Sequence, residues 1–231
     1  DKLDNKIYLR RQLLDRVEDI YIDQKVLMLT GENYTRCMKE LKDRNLISKH
    51  RCKISIVERD NKVFRKIFTQ AEECPFYKKG IVDLHKCDIK NVACYDYHFQ
   101  DIDLMCTWKN GFDILKKRLA LQSESISKEK SARGSKFFMF SLSEWGIKLE
   151  ESYSYLKELL ETLNCKIWGL DKCEGRYGDG VAINSIGHRS FIRQHKIYCN
   201  EDDYGSVKKF LLFRYRDTTN MMTCLIEHGV N

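Results

Sequence analysis

Short apolar runs, each followed by a stretch with helical spacing, recur over residues 25–164, and this alternation restricts the available folds more than any other feature. Lys25-Val26-Leu27-Met28-Leu29-Thr30 is apolar at its centre and ends at Gly31, the pattern of a strand buried on both faces. Asn33 or Thr35 can cap the next segment, in which Met38, Leu41 and Leu46 share one side of a helix reaching about Ile47. The unit then repeats. Cys52 to Glu58 is β-rich and leads into a helix carrying Val63, Phe64, Ile67 and Phe68. Gly80 to Leu84, Phe99 to Cys106 and Lys136 to Leu142 read as third, fourth and fifth strands, with helical spacing over 112–121 and 148–164.

The flanks complete the pattern. Ile7, Leu9, Leu13, Leu14, Val17, Ile20 and Tyr21 mark an amphipathic helix within residues 1–22. Gln122 to Ser135, rich in Ser, Lys and Glu, reads as a solvated loop. Val207 to Tyr215 and Asn220 to Glu227 are β-runs joined by Arg216-Asp217-Thr218-Thr219, short enough for an antiparallel hairpin. Strands alternating with helices require right-handed crossovers and a parallel sheet. The expectation is an α/β fold: a doubly wound, mostly parallel, seven-stranded sheet ending in a C-terminal antiparallel hairpin, with helices on both faces, in one domain over 1–231. Residues 165–205 contain Gly169, Gly175, Gly178, Gly180 and Gly187, fit none of these elements, and read as an insertion over the site.

Bulk properties narrow the function. The longest apolar runs are about four residues, whereas a membrane-spanning helix needs roughly 20. With a charged N-terminal stretch and no secretory pattern, an intracellular, cytoplasmic protein is expected. The ten cysteines form no Cys-x-x-Cys pair and read as small buried hydrophobes in a reducing compartment. His85, Cys87, Cys94 and His98 come nearest to a zinc pattern, but their spacing is wider than structural sites use, and no metal is expected. The net charge of +7 suits a phosphate-rich partner, so a nucleic acid is the expected macromolecular ligand. Arg189, Arg193 and Lys196, interleaved with His188, Phe191 and His195, are candidates to contact it, with a solvated charged face as the plainer reading.

In an open doubly wound sheet the ligand lies beyond the carboxyl ends of the strands, where the strand order reverses. The strand exits are Thr30-Gly31-Glu32, Glu58-Arg59, Asp88-Ile89 and Asp101-Ile102-Asp103. A glycine at the first lets a ligand approach the backbone, and a carboxylate at the second can accept both hydroxyls of a ribose. Plainer roles remain open for each: a turn at Gly31, a helix-dipole charge at Glu58, a turn cap at Asp88, and a solvated edge at Asp101 and Asp103. Cys106 reads as packing rather than a nucleophile, since no adjacent His base is evident.

Val26 to Glu32, Ile54 to Glu58, Val82 to Asp88 and Asp101 to Leu104, closed by the terminal hairpin, together resemble the class I S-adenosylmethionine-dependent methyltransferases, over about residues 25–143 and 206–228. The resemblance implies S-adenosylmethionine as cofactor, held by Thr30, Gly31, Glu32, Glu58, Arg59, Asp88 and Ile89. It implies that Asp101 and Asp103 stand where the acceptor meets the methyl group. Two departures accompany it: the first loop has Gly31 alone in place of a Gly-x-Gly, and the fourth exit lacks the Asn- or Asp-Pro-Pro-aromatic signature. The second expectation, of a different class, is a non-catalytic nucleic-acid-binding protein on the same fold. A dinucleotide oxidoreductase ranks below both, because no Gly-x-Gly-x-x-Gly is present.

Overall fold

The computed structural model describes residues 5–17, 25–44, 46, 52–92, 97–128, 135–167, 169–170, 181–185, 191–195, 197–198, 206–216 and 219–229. In chain order the elements are α1 (Asn5–Leu14), β1 (Lys25–Met28), α2 (Tyr34–Asp43), β2 (Lys53–Val57), α3 (Asn61–Glu72), α4 (Pro75–Lys78) and β3 (Val82–His85). They continue with β4 (Tyr97–Thr107), α5 (Trp108–Lys128), β5 (Lys136–Ser143), α6 (Leu149–Glu161), β6 (Gly169–Leu170), β7 (Val181–Ser185) and β8 (Phe191–His195). The last are β9 (Ile197–Tyr198), β10 (Val207–Arg216) and β11 (Asn220–His228).

One sheet runs in the order β3-β2-β1-β4-β5-β11-β10-β8-β7. The first five strands in that order are parallel. β11, β10, β8 and β7 then follow in antiparallel pairs. The chain builds outward from β1 to β3 and returns to place β4 on β1's other flank, so the order reverses between β1 and β4. Strand alternation divides the core in two. Val26 and Met28 of β1 point into one cluster with Leu9, Tyr34, Ile54 and Phe99, beneath α1 to α4. Leu27 points into the other, with Ile102, Trp108, Phe138, Leu156 and Ile226, beneath α5 and α6. Gly111 lets α5 close onto the sheet, since a Cβ there would stand 2.7 Å from Leu142 Cδ2 and 3.0 Å from Cys106 Sγ.

Three sequence expectations change. Among the described residues the main sheet has nine strands, not seven: β7 and β8, from the segment read as an insertion, extend it beyond β10. The outer hydrogen-bonding flank of β10 supplies what Phe191–His195 alone does not signal, a template for strand pairing. Helix α5 runs on to Lys128 where a loop was expected from Gln122. Gln122 is buried, donating from Nε2 to the carbonyl of Tyr97 at 2.8 Å, so a residue that reads as loop polarity is a core hydrogen-bonding group. Helix α1 begins at Asn5 and ends at Leu14, residues 15–17 turn away from it, and 18–22, the rest of its expected span, lie outside the described residues.

No helix among the described residues is long and apolar enough to cross a membrane. The would-be zinc set does not assemble: His85 ends β3 and His98 lies near the start of β4, which puts them at opposite edges of a parallel sheet, and Cys94 lies outside the described residues. Among the described residues no group of three or more His, Cys, Asp or Glu is placed to hold a metal ion.

Candidate cofactor site at the carboxyl edge

The exit of β1 is a short 3-10 turn, Gly31–Asn33, leading directly into α2. Gly31 has φ +51°, a conformation costly for residues with a Cβ, and a Cβ built there meets nothing within 4 Å. Thr30 is buried, with its hydroxyl donating to the Gly31 carbonyl at 3.2 Å. The loop is tied to α3. Lys66 Nζ lies 2.7 Å from Glu32 Oε1, and Gln70 donates to the Glu32 carbonyl while accepting from both the amide and the hydroxyl of Thr35. A rigid turn with an open flank results.

The second and third exits lie side by side because β2 and β3 pair through Val57 and His85. The Glu58 amide donates to the His85 carbonyl at 3.1 Å. Glu58 Oε1 accepts the Asp60 N–H at 2.8 Å, and Asp60 in turn caps α3 through the amides of Lys62 and Val63. One oxygen of the half-buried Glu58 carboxylate is thus pinned, and Oε2 has no partner among the described residues. Asp88 Oδ1 accepts the Lys90 N–H at 2.9 Å, and Asp88 Oδ2 stands 3.7 Å from Nη1 of the exposed Arg59. Ile89 is buried in the α5–α6 core. Glu58, Arg59, Asp88 and Ile89 therefore occupy one neighbourhood beside the Gly31 turn. The plainer turn-cap role of Asp88 is present at the same time.

The fourth exit holds a feature that the sequence does not announce. Asp101 and Asp103 are two residues apart on β4, and each meets a cation of α1: Arg10 with Asp101, Lys6 with Asp103 at 2.7 Å. The geometry follows from two periodicities. Two strand residues span about 6.7 Å, four helix residues about 6 Å, so a helix lying antiparallel along β4 aligns both pairs at once. Asp101 is fully buried and its carboxyl is pushed up to about 6 by burial, against the opposing pull of Arg10. Asp103 is the more accessible, with 22% of its side chain exposed. The i, i+4 spacing of Lys6 and Arg10 was the available signal, visible only once α1 is known to cross β4.

Of the nucleic-acid candidates, Arg189 and Lys196 lie outside the described residues. Arg193 sits on β8, opposite Arg214 of β10. Cys106 is half-buried, and burial raises its thiol, which leaves it a poor nucleophile at neutral pH. A cavity of about 500 Å³ lies between α2, α3 and α4, lined by Tyr34, Met38, Phe76 and Ile81 and reaching Thr35 and Gln70 behind the Gly31 turn.

No family model matches the sequence, and no curated protein matches it. Solved structures do. A protein assigned as an rRNA methylase from Clostridium thermocellum superposes over 100% of both chains with a TM-score of 0.51 at 9% identity. The fold is that of the class I methyltransferases. Weaker likenesses are TrmN from Thermus thermophilus, at TM-score 0.49 and 10% identity over 94% of this chain and 48% of that one, and a methyltransferase from Thermoplasma acidophilum, at 0.48 and 12% over 92% and 71%. In the methyltransferase fold the carboxyl edge where β1 and β4 diverge is the ligand edge. Gly31, Glu58, Asp88 and Asp103 all reach it.

Proposed function

We propose that the chain is an S-adenosylmethionine-dependent methyltransferase acting on nucleic acid. The observation that carries this reading is the open-flanked Gly31, at a positive φ, beside the half-pinned carboxylate of Glu58. Together they offer a backbone that a ligand can approach and an oxygen fixed in place to accept ribose hydroxyls. Thr30, Gly31 and Glu32 would hold the amino-acid end of the cofactor, Glu58 and Arg59 the ribose, and Asp88 with Ile89 the adenine. The cofactor supplies an electrophilic methyl group. This chain's part is to bring an acceptor nitrogen, oxygen or carbon in line with it, chiefly by proximity and orientation. Asp103, partly exposed and next to Lys6, is the carboxylate placed to position the acceptor or take its proton, while Asp101 beneath it holds α1. The surplus of Lys and Arg supports a polyanionic substrate, and the Clostridium thermocellum protein of the same fold is assigned to rRNA.

Calorimetry with S-adenosylhomocysteine is the direct test. Binding is expected, and Glu58→Ala should weaken it about tenfold or more, because two hydroxyls lose a charged acceptor. Gly31→Val should abolish it while leaving the circular dichroism spectrum unchanged, since the new side chain enters the open flank at a positive φ. No heat of binding to the folded wild type would end the reading. A non-catalytic nucleic-acid-binding protein is favoured by one observation, the occupation of both fourth-exit carboxylates by α1. Cofactor and RNA binding without methyl transfer, restored to turnover by Lys6→Ala, would show that α1 silences the site.

A further inference from the structure

We propose that the turn after β5 is a nucleobase-stacking subsite, with the indole of Trp145 as its platform and single-stranded nucleic acid as its ligand; the inference deepens the substrate half of the methyltransferase reading and rests on it. Trp145 is 75% exposed, and the next most exposed large apolar side chain among the described residues, Phe68 on α3, reaches 39%. An aromatic carried by chance on a solvated loop would be loosely held, and this one is not. Ser143 Oγ accepts the Trp145 N–H at 3.1 Å. The Glu144 amide donates to the Asn220 carbonyl at 2.9 Å, and Ile147 N–H donates to the Glu144 carbonyl at 3.3 Å. The Glu144 carboxylate is buried and takes Nε and Nη2 of Arg214 at 2.9 Å each. Gly146, at φ +76°, closes the turn. The backbone on both sides is anchored while the indole itself stands in solvent. A backbone ordered in advance reduces the conformational cost of binding.

Its position is that of a substrate contact. Ser143 pairs with Thr107 of β4 on one side and with Met221 of β11 on the other, so the turn stands at the carboxyl edge. β5 lies next to β4, and β4 next to β1, which places Trp145 on the acceptor side of the Gly31 turn. Exposed cations share that edge: Lys109 lies in the first turn of α5, Lys148 precedes α6, and Arg216 ends β10. Of the nearby carboxylates, Glu144 is paired with Arg214, Glu151 accepts the Lys148 N–H at 3.2 Å, and Glu150 is exposed in the first turn of α6. A flat aromatic face flanked by cations matches a base with its phosphates. A protein-docking hot spot would instead sit within a wider apolar patch, and no other large apolar side chain is exposed beside Trp145 among the described residues.

The test is binding of a short adenine-rich single-stranded RNA, followed by tryptophan fluorescence and by filter retention at several salt concentrations. Trp145→Ala should weaken binding about tenfold and remove most of the fluorescence quench. The salt slope should stay that of the wild type, since no phosphate contact is lost. Trp145→Phe should keep most of the affinity. Wild-type affinity in Trp145→Ala, or an equal loss in Trp145→Phe, would overturn the proposal. S-adenosylhomocysteine calorimetry on the same proteins separates the two readings: RNA binding that depends on Trp145 without any cofactor binding would leave this subsite standing and remove the methyltransferase.

Discussion

Arg10→Met is expected to lower the stability of the folded chain by about 3 kcal/mol or more, a large share of the roughly 5–15 kcal/mol that holds an ordinary domain together. The Arg10 side chain is 12% exposed, and its guanidinium joins carboxylates from two different elements, Asp101 of β4 and Glu40 of α2. Without it Glu40 keeps Arg11, at 3.1 Å, but Asp101 loses the cation that opposes its burial. An uncompensated buried charge is the costly outcome, and the group escapes it by taking up a proton. The carboxyl of Asp101 already stands near 6 with Arg10 present, so in the variant it should be neutral at pH 7. The sign follows from linkage. A carboxyl whose folded pKa lies above its unfolded value opposes folding increasingly as pH rises through that interval. The deficit of Arg10→Met should therefore be smaller at pH 5 than at pH 8 in urea unfolding. In an Asp101→Asn background the same substitution should cost only about 1 kcal/mol, because the charge to be stranded is gone. Identical urea midpoints for wild type and Arg10→Met would show that the clip between α1 and β4 does not hold the fold.

A second large effect is expected from mild acid. At the amino edge of the parallel strands, His98 of β4 and His228 of β11 are buried, with burial and then the charge of Lys136 pushing them down to about 4 and about 3 respectively. His228 Nε2 lies 2.9 Å from Gln122 Oε1, while His228 Nδ1 and His98 Nε2 have no hydrogen-bond partner among the described residues. Lys136 is itself buried and bonded to Ser125 Oγ, and Glu227 accepts from Ser135 Oγ at 2.6 Å. Both imidazoles are thus held neutral in a site that already contains a cation. Histidines depressed on folding contribute in full above about pH 6.5, and that contribution falls away as pH drops toward the folded values. At pH 5 each has lost about 2 kcal/mol, against about 1 kcal/mol returned by protonation of Asp101 in the same interval. Thermal unfolding should show a clear loss of stability between pH 7.5 and pH 5. His98→Phe combined with His228→Gln should flatten most of it. An unchanged pH dependence in that double variant would assign the acid sensitivity to other groups.

The parallel half of the sheet was legible in the chain because its strands are buried on both faces and must be apolar along their whole length. Val26 to Met28 and Ile54 to Val57 have no other use for such side chains. The exits were legible for a related reason: Gly31 stands where the backbone takes a positive φ that glycine adopts most readily, and Glu58 and Asp88 follow strands whose ends the apolar runs mark. The features that escaped notice depend on partners far away in sequence. Gln122 reads as surface until Tyr97 and His228 come beside it, and Lys6 and Arg10 read as a solvated helix face until β4 passes underneath. Phe191–His195 mixes apolar and basic residues and becomes a strand on the flank of β10. Trp145 was hidden differently, since a lone tryptophan in a turn carries no period at all.

The addition of β8 and β7 has a consequence for how this molecule meets its own copies. A sheet that stopped at β10 would expose a ten-residue strand with one full row of unmet amide donors and carbonyl acceptors, an invitation to stack end to end into dimers or fibres. Here Phe191–His195 takes the half of that row that runs from Leu212 to Arg216, and among the described residues the terminus of the sheet passes to the five-residue β7, too short to offer a long ladder to a neighbour. At the opposite terminus β3 is shorter still, at four residues. Among the described residues both margins are short, which limits the ladder that either can offer to the edge of another sheet.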